Sequence, residues 1–304
     1  MEQSRPTLRH DLVWALLLGG WAGLAALSPR RTGALWLSLP LVLIPLAWWM
    51  VSGASRWVLA FLAAAFLLPP LPLPWGDAGP HPALLPAALG LWAGVARLPA
   101  WRIRRNFLSA SLVVFLLALL LSVPAAVLYS SPAVALGSLA RVGLFAVSVY
   151  LFFYLADGPG RELAPERLVR LLFWAGTVSA AFACLDFYFQ FPALARFAEQ
   201  FVWLPGGVFR RAQGVFYEAS TLGSFCVFLL VMMASIAVLQ LGGRLRLSPA
   251  LLLPAAIVCF VALILSFSRA AMISLVVALL ALLWLERKRL QLTVKLAHWG
   301  AAAL

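Results

Sequence analysis

The sequence predicts an all-α polytopic membrane protein, and its composition, hydropathy and length all lead to that fold class. The chain has 304 residues, of which 64% are hydrophobic and only 11% charged, and its mean hydropathy is +0.99. Soluble domains average about 45–50% apolar and about 25% charged residues, so a water-soluble globular fold is excluded. One membrane pass takes about 20 apolar residues, and with short connections this length accommodates about ten or eleven passes.

Apolar stretches follow one another along the whole chain. Each is predicted to be a helix, because backbone groups in lipid must form hydrogen bonds within their own segment. The stretches lie at residues 12–28, 34–52, 57–74, 82–96, 106–128, 133–155, 168–191, 215–241, 249–267 and 271–285, with an eleventh beginning near 292. Pro82 and Pro86 flank or interrupt the short fourth stretch, which favours a tilted or half-inserted element. No linker divides the chain, so we expect one transmembrane helical domain over 1–304.

The two ends of the sequence indicate how much of the protein it represents. The first apolar stretch lacks a small-residue cleavage site, so we expect a retained helix and not a signal peptide. The sequence ends at Leu304, part-way through an apolar stretch that is too short to cross a bilayer. We therefore expect it to be the N-terminal portion of a longer protein.

The basic residues are distributed unevenly between the two sides that the stretches define. With the N-terminus in the cytoplasm, most of the 23 lysines and arginines fall in cytoplasmic connections, as the positive-inside rule requires. This accounts for most of the net charge of +13, so no nucleic-acid partner is expected. The outer side then holds Arg30, Arg31, Arg196, Arg210, Arg211 and Arg269.

Arg210, Arg211 and Arg269 stand out because they lie in outer connections that flank three of the C-terminal helices. A guanidinium is a fixed charge whose planar fork binds phosphate oxygens in pairs. These arginines therefore suit an anionic ligand in the outer leaflet, such as a lipid diphosphate. The alternative is that they contact lipid headgroups or anchor the helix ends.

Three further charged residues, Arg141, Asp186 and Glu218, lie in the outer third of the apolar stretches. Ionisable groups inside a membrane are costly, and they usually pair with each other, face the bundle interior or mark a site. The spacing is compatible with an Arg141–Asp186 ion pair, for which a structural role and a ligand-binding role are both open. We interpret all three as supporting polar groups beside the outer arginines.

Residues 191–214 form the longest outer connection. Its apolar residues recur at three- and four-residue steps, which is typical of a short helix that lies flat in the membrane interface. They are Leu194, Phe197, Phe201 and Leu204. The segment Pro205-Gly206-Gly207 then ends the pattern. Such a helix would shape an entry groove for a lipid-linked substrate or, alternatively, cover the helix ends.

Several familiar chemistries have no motif in the sequence. A Walker-type loop, an HExxH motif and neighbouring cysteine or histidine pairs do not occur, so we expect neither a metal nor another cofactor. Cys184, Cys226 and Cys259 lie in apolar stretches and are expected to be packing residues. His81 lies in an outer proline-rich loop, where acid–base work is one hypothesis and no role is the other.

Two stretches resemble motifs of the O-antigen ligase and O-antigen polymerase superfamily. Residues 211–223, R-A-Q-G-V-F-Y-E-A-S-T-L-G, are similar to the R-x-x-G-x-F…L-G opening of a family helix. Residues 265–271, L-S-F-S-R-A-A, resemble the S-R-G/A motif at the outer end of a later helix. The order of the motifs, the cytoplasmic turn at 242–248 between them and their sidedness agree with the family. The resemblance covers residues 200–290.

The resemblance implies a GT-C-like helical bundle and a metal-independent glycosyltransferase of the bacterial cell inner membrane. Its N-terminus would be cytoplasmic and its active face periplasmic. The donor would be a glycan linked to undecaprenyl diphosphate, which Arg211 and Arg269 would grip, and lipid A–core would be the acceptor in O-antigen ligation. Many members carry Asn or another polar residue at the place of Glu218. The catalytic group would be a histidine of a periplasmic loop expected beyond Leu304.

Other functions share these features. A polysaccharide polymerase or a protein O-oligosaccharyltransferase would use the same donor, because the three reactions differ in the acceptor. A membrane transporter or flippase of lipid-linked glycans is an alternative from another class. Transporters tend to place ionisable residues near the midplane, whereas here they gather towards one face, which favours chemistry at the outer surface. A purely structural anchor would leave the intramembrane charges without a role.

Overall fold

A computed structural model describes the molecule over residues 19–23, 31–71, 80–104, 106–192, 200–216, 218–240 and 248–302. Nine α-helices lie within these residues, besides the helical residues 19–23: α1 (Arg31–Ser52), α2 (Arg56–Leu67), α3 (Leu84–Val95), α4 (Phe107–Tyr129), α5 (Pro132–Ala156), α6 (Pro165–Phe189), α7 (Ala219–Gln240), α8 (Pro249–Leu265) and α9 (Arg269–Ala302). Two antiparallel strands, β1 (Phe201–Leu204) and β2 (Gly207–Arg210), form a hairpin between α6 and α7.

Five of these helices are long and apolar enough to cross a membrane, namely α4, α5, α6, α7 and α9. Helices α2, α3 and α8 are also apolar but shorter, as is the segment Leu39–Ser52 of α1. Many large apolar side chains, such as Leu121 on α4 and Ile273 on α9, face outward, and lipid is the solvent that such a surface requires. The prediction of an all-α polytopic membrane protein is thereby confirmed.

Two predicted helix boundaries differ more than the others from the structure, and each of these differences has a local cause. In the third predicted stretch, 57–74, the helix α2 ends at Leu67, because Pro69 disfavours the helical conformation of the residue before it. At the other end of the chain, α9 continues to Ala302 where a connection and an eleventh span were predicted. The basic residues there do not interrupt the backbone, since arginine and lysine are good helix formers.

The N-terminal helices pack around two fully buried aromatic side chains. Trp57 of α2 lies edge-on against Tyr154 at the end of α5, with ring centroids 4.8 Å apart. The Tyr154 hydroxyl donates a hydrogen bond of 2.6 Å to the Ala54 carbonyl. Gly90 on α3 leaves room for the indole, because a Cβ there would lie 2.3 Å from the ring. These contacts join α1, α2 and α3 to the end of the α4–α5 hairpin.

The C-terminal helices α6, α7, α8 and α9 form a second core, which contacts the first through packing of α2 on α6. Small residues allow the close approach that membrane helices rely on, for example Gly176 of α6 against Leu229 of α7. Cys226 and Cys259 are fully buried in this core, as expected of packing residues.

The helix directions bring both motif-bearing stretches to one end of the C-terminal bundle. Helices α6 and α8 end there, and α7 and α9 begin there. We call this the motif end, because it holds the described parts of 211–223 and 265–271. The connection from α6 to α7 crosses it and carries most of the candidate site residues.

Candidate functional site

The connection between α6 and α7 is a β-hairpin where the sequence predicted an interfacial helix. Phe201 and Leu204 belong to β1, so the helix prediction is wrong for the described residues, while Leu194 and Phe197 lie outside them. Leu204 pairs with Gly207, which leaves a two-residue turn between the strands. Gly207 has a φ of +130°, which an L side chain rarely adopts. Aromatic and β-branched residues in β1 also favour a strand.

The hairpin lies with one face on the helix bundle. Val202, Leu204 and Phe209 pack against the C-terminal core, and Phe209 stacks on Phe187 of α6 with ring centroids 5.9 Å apart. The opposite face exposes apolar side chains, of which Trp203 is 83% exposed. The hairpin is therefore fixed to the motif end from one side only.

After the hairpin, residues 210–216 form what we call the strap, which runs between α6 and the α8–α9 turn. The Ala212 N–H donates to the Leu265 carbonyl at 3.0 Å. On the other flank, the N–H groups of Gln213 and Gly214 donate to Asp186 Oδ2 at 3.2 Å and 3.0 Å. Gly214 has a φ of +60°, and a Cβ there would lie 2.8 Å from the Ala183 side chain, so the strap requires glycine at this position.

Asp186 pairs with Arg210, not with Arg141. The Arg210 guanidinium donates to Asp186 Oδ1 at 2.5 Å, and both side chains are buried, 6% and 4% exposed. Together with the two strap amides, this gives the carboxylate three hydrogen bonds. Arg141 lies exposed on α5, a helix that packs mainly against α4. The predicted Arg141–Asp186 pair is therefore wrong, because equal depth in the membrane does not make two helices neighbours.

Gln190 fixes the end of β2 to the end of α6. It has a left-handed backbone with a φ of 50°. Its side-chain amide donates to the Phe187 carbonyl at 2.5 Å and the Arg210 carbonyl at 3.2 Å, and its Oε1 accepts from the Arg210 N–H at 2.9 Å. This role could not be predicted from the sequence, because a single Gln at a helix end is common.

Arg211 is held on the other side of the strap. Its Nε donates to the Ser266 carbonyl at 2.7 Å, and a terminal nitrogen donates to Gln200 Oε1 at 2.7 Å. The side chain is partly exposed, and burial lowers the pKa of its guanidinium. Burial removes part of the hydration of this charge. An anion bound at the exposed part of the guanidinium would therefore stabilise its charged form.

The α8–α9 turn places Arg269 at the start of α9. Ser266 Oγ accepts from the Ser268 N–H at 3.3 Å, and Phe267 takes a left-handed φ of 49°. The turn packs closely on α7, since a Cβ on Gly223 would lie 2.9 Å from Ser268 Cβ. Arg269 itself is exposed. The two motif stretches are thus in direct contact, and Arg211 binds the turn that leads into Arg269.

Glu218 lies where α7 begins. Its carboxylate accepts a hydrogen bond of 2.9 Å from Ser220 Oγ, and its carbonyl accepts from the Thr221 and Leu222 N–H groups. A carboxylate near a helix N-terminus is stabilised by the helix dipole. These contacts give Glu218 a helix-starting role at the motif end.

A cavity of about 290 Å³ opens on the α6 side of the strap. Its polar lining includes Ser179, Asp186 and Arg210, and its aromatic lining is Phe182 and Phe191. Neither Arg211 nor Arg269 is among its lining residues. The three arginines predicted to act together are therefore divided between two sides of the strap.

His81 caps α3. Its Nδ1 accepts a hydrogen bond of 3.1 Å from the Ala83 N–H, which requires that nitrogen to be unprotonated. Burial lowers the pKa of His81, partly offset by a hydrogen bond with the Leu68 backbone. The imidazole is therefore neutral at neutral pH, and its hydrogen bond stabilises the turn before α3. Across the described part of the chain, no cluster of three or more His, Cys, Asp or Glu is arranged to hold a metal ion.

The fold defines the class of protein as a polytopic α-helical membrane protein. No family model, curated protein or solved structure matches the chain.

Proposed function

We propose that the protein is a metal-independent glycosyltransferase that transfers a glycan from undecaprenyl diphosphate to an acceptor on the periplasmic face of the bacterial inner membrane. The proposed acceptor is lipid A–core, as in O-antigen ligation. One observation carries this proposal: Arg211 is hydrogen-bonded to Ser266, in the turn that leads directly into Arg269. The two guanidinium groups that the resemblance assigns to the diphosphate thus belong to connected elements at one end of the bundle.

The surroundings of both arginines suit a diphosphate. The partly buried Arg211 is held by Ser266 and Gln200, so its orientation is set before a ligand arrives. Arg269 is the first residue of a long helix, whose free N–H groups and dipole add positive charge. When the glycosidic bond breaks, negative charge grows on the diphosphate leaving group. Fixed cations stabilise that charge, and losing one such contact typically costs about 10²–10³-fold in rate.

An apolar groove provides a place for the polyprenyl chain. It has a volume of about 820 Å³ and runs between α7, α8 and α9, the helices whose ends form the arginine site. Its lining includes Met233, Phe260 and Leu275. Leu275 lies about 9 Å along the helix from Arg269, at 1.5 Å per residue. A lipid bound by its diphosphate at the motif end would reach this groove directly.

Donor binding is the direct test of the arginine site. Arg211→Ala and Arg269→Ala should each weaken binding of undecaprenyl diphosphate to the purified protein at least about tenfold, because each removes a charge-assisted contact. Native mass spectrometry with undecaprenyl monophosphate as a second probe measures this. Arg287→Ala is the matched control, since Arg287 lies on the same helix and stacks on Trp284, away from the motif end. Unchanged binding in both variants, with normal membrane insertion, would contradict the proposal.

Glycan transfer tests the reaction itself. With an undecaprenyl-diphosphate-linked glycan and lipid A–core, the same two substitutions should lower release of undecaprenyl diphosphate by about 10²-fold or more. A polymerase or a protein O-oligosaccharyltransferase uses the same donor. Replacing lipid A–core with a second lipid-linked glycan or with an acceptor protein therefore identifies the reaction.

A further inference from the structure

The cavity on the α6 side of the strap contains a buried hydroxyl without a partner. Ser179 lines the cavity and is 1% exposed, and its Oγ has no hydrogen-bond partner among the described residues. Other helical hydroxyls, such as those of Thr177 and Ser224, donate to the carbonyl four residues earlier, at 2.7 Å and 3.1 Å. Because a buried hydroxyl without a partner is costly, Ser179 points to a ligand that supplies one.

The charged residues that line the cavity favour a neutral polar ligand. Asp186 and Arg210 neutralise each other, so the residues that line the cavity carry no net charge. One terminal nitrogen of Arg210 binds Asp186, and the pair lines the cavity. Carboxylate, guanidinium and hydroxyl groups together accept and donate hydrogen bonds, as the hydroxyl groups of a sugar require.

Two aromatic side chains also line the cavity. Phe182 and Phe191 stack in parallel, with an interplanar angle of 2° and ring centroids 5.9 Å apart. Both rings are partly exposed although they lie beside buried charges. A cavity lined by aromatic side chains and a few polar groups is a common design of small-molecule sites, and the volume of 290 Å³ is close to their lower limit of about 300 Å³.

We propose that this cavity binds one sugar ring of a glycan, an inference that rests on the diphosphate role proposed for Arg211 and Arg269. The ring packs on Phe182 and Phe191, while its hydroxyl groups bond to Ser179, Asp186 and Arg210. Arg210 and Arg211 are consecutive, with Cα atoms about 3.8 Å apart. A sugar held by one side of the strap therefore lies next to a diphosphate held by the other.

Binding of three probes to the purified protein tests this assignment. The probes are undecaprenyl diphosphate, the same lipid carrying one N-acetylhexosamine, and a delipidated core oligosaccharide. Ser179→Ala and Phe191→Ala are the variants. Thr177→Ala is the matched control, because it removes a hydroxyl from the same helix outside the cavity lining. We expect both cavity variants to weaken binding of a sugar-bearing probe about fivefold to tenfold, with bare undecaprenyl diphosphate unchanged.

The pattern of loss identifies the source of the sugar. A loss confined to the glycolipid assigns the cavity to the donor, and a loss confined to the core oligosaccharide assigns it to the acceptor. Unchanged binding of both sugar probes overturns the proposal, as does an equal loss for the bare lipid or for the Thr177→Ala control. Failure of bare undecaprenyl diphosphate to bind the wild type would instead refute the arginine site, and the core oligosaccharide would still decide the cavity.

Discussion

At the scale of single residues, Asp186 holds the candidate site together. It binds the Arg210 guanidinium and two N–H groups of the strap, so one carboxylate joins α6 to β2 and to the R-x-x-G stretch. Burying an ion pair costs the hydration of both charges, and additional hydrogen bonds of this kind offset that cost. The pair therefore matters more for position than for net stability.

Asp186→Asn should destabilise the protein by about 3–5 kcal/mol, because it leaves the Arg210 charge buried without a counter-ion. Thermal unfolding in detergent measures the change. The double variant Asp186→Asn/Arg210→Met removes both charges and should recover much of the loss. Equal stability of wild type and Asp186→Asn would show that the buried Arg210 charge does not depend on Asp186.

Sequence reasoning identified Asp186, Arg210 and Arg211 but not their partners. Charges in apolar stretches are conspicuous, and the positive-inside rule marked the arginines as exceptional. The choice of Arg141 as partner failed because the sequence gives the depth of a residue along its own helix and not which helices are neighbours. Ser179 was not predicted for a related reason: one serine in an apolar helix usually bonds to its own backbone.

At the scale of elements, close packing of small residues determines how the two motif stretches meet. Gly223 of α7 touches Ser268 and Ala271 around the start of α9. Membrane helices associate through such close packing because lipid provides no hydrophobic drive between them. Gly223 in the first motif thus positions the turn that leads into Arg269 of the second motif.

Gly223→Ala should displace the α8–α9 turn, since the new Cβ would lie 2.9 Å from Ser268 Cβ and 3.0 Å from Ala271 Cβ. We expect undecaprenyl diphosphate binding to weaken about tenfold or more and the unfolding temperature to fall. Gly143→Ala is the control, because nothing lies within 4 Å of a Cβ at that position of α5. Wild-type affinity in Gly223→Ala would mean that this contact does not position Arg269.

The helices of the described residues were largely predictable, whereas the hairpin was not. Long apolar stretches allow one structure in lipid, so their helices follow from composition. In 201–204 all four residues are apolar, and such a short run fits a strand as well as a helix. The turn at Pro205-Gly206 marked an end in either interpretation, and contact with the bundle favours the strand.

At the scale of the whole molecule, antiparallel helices bring the two motif stretches together. Residues 211–223 and 265–271 are separated in sequence by α7 and α8, yet both lie at the motif end. Alternation of direction was implicit in the apolar stretches, so this coarse juxtaposition was predictable. The lateral order, with α2 against α6 and α7 against α9, was not, because uniformly apolar helices do not specify their neighbours.

Cysteine labelling should place the motif end on the periplasmic side. Gly206→Cys in the exposed hairpin turn should react with a membrane-impermeant maleimide in intact cells, because the positive-inside rule keeps the basic connections in the cytoplasm. Ser248→Cys, at the opposite end of the bundle, should react only after permeabilisation. Replacing the partly buried Cys184 by alanine provides a low background. The reverse labelling pattern would overturn the proposed orientation.

Arg210 and Arg211 point to opposite sides of the strap. Successive side chains of an extended chain point to opposite sides, and here Arg210 faces Asp186 while Arg211 faces Ser266. One extended stretch of backbone therefore separates the cavity from the side of the strap on which Arg211 lies. Inserting or deleting one residue just before Arg210 would turn Arg210 towards Ser266 and Arg211 towards Asp186. The length of this short stretch is thus a stricter requirement than the identity of most of its residues.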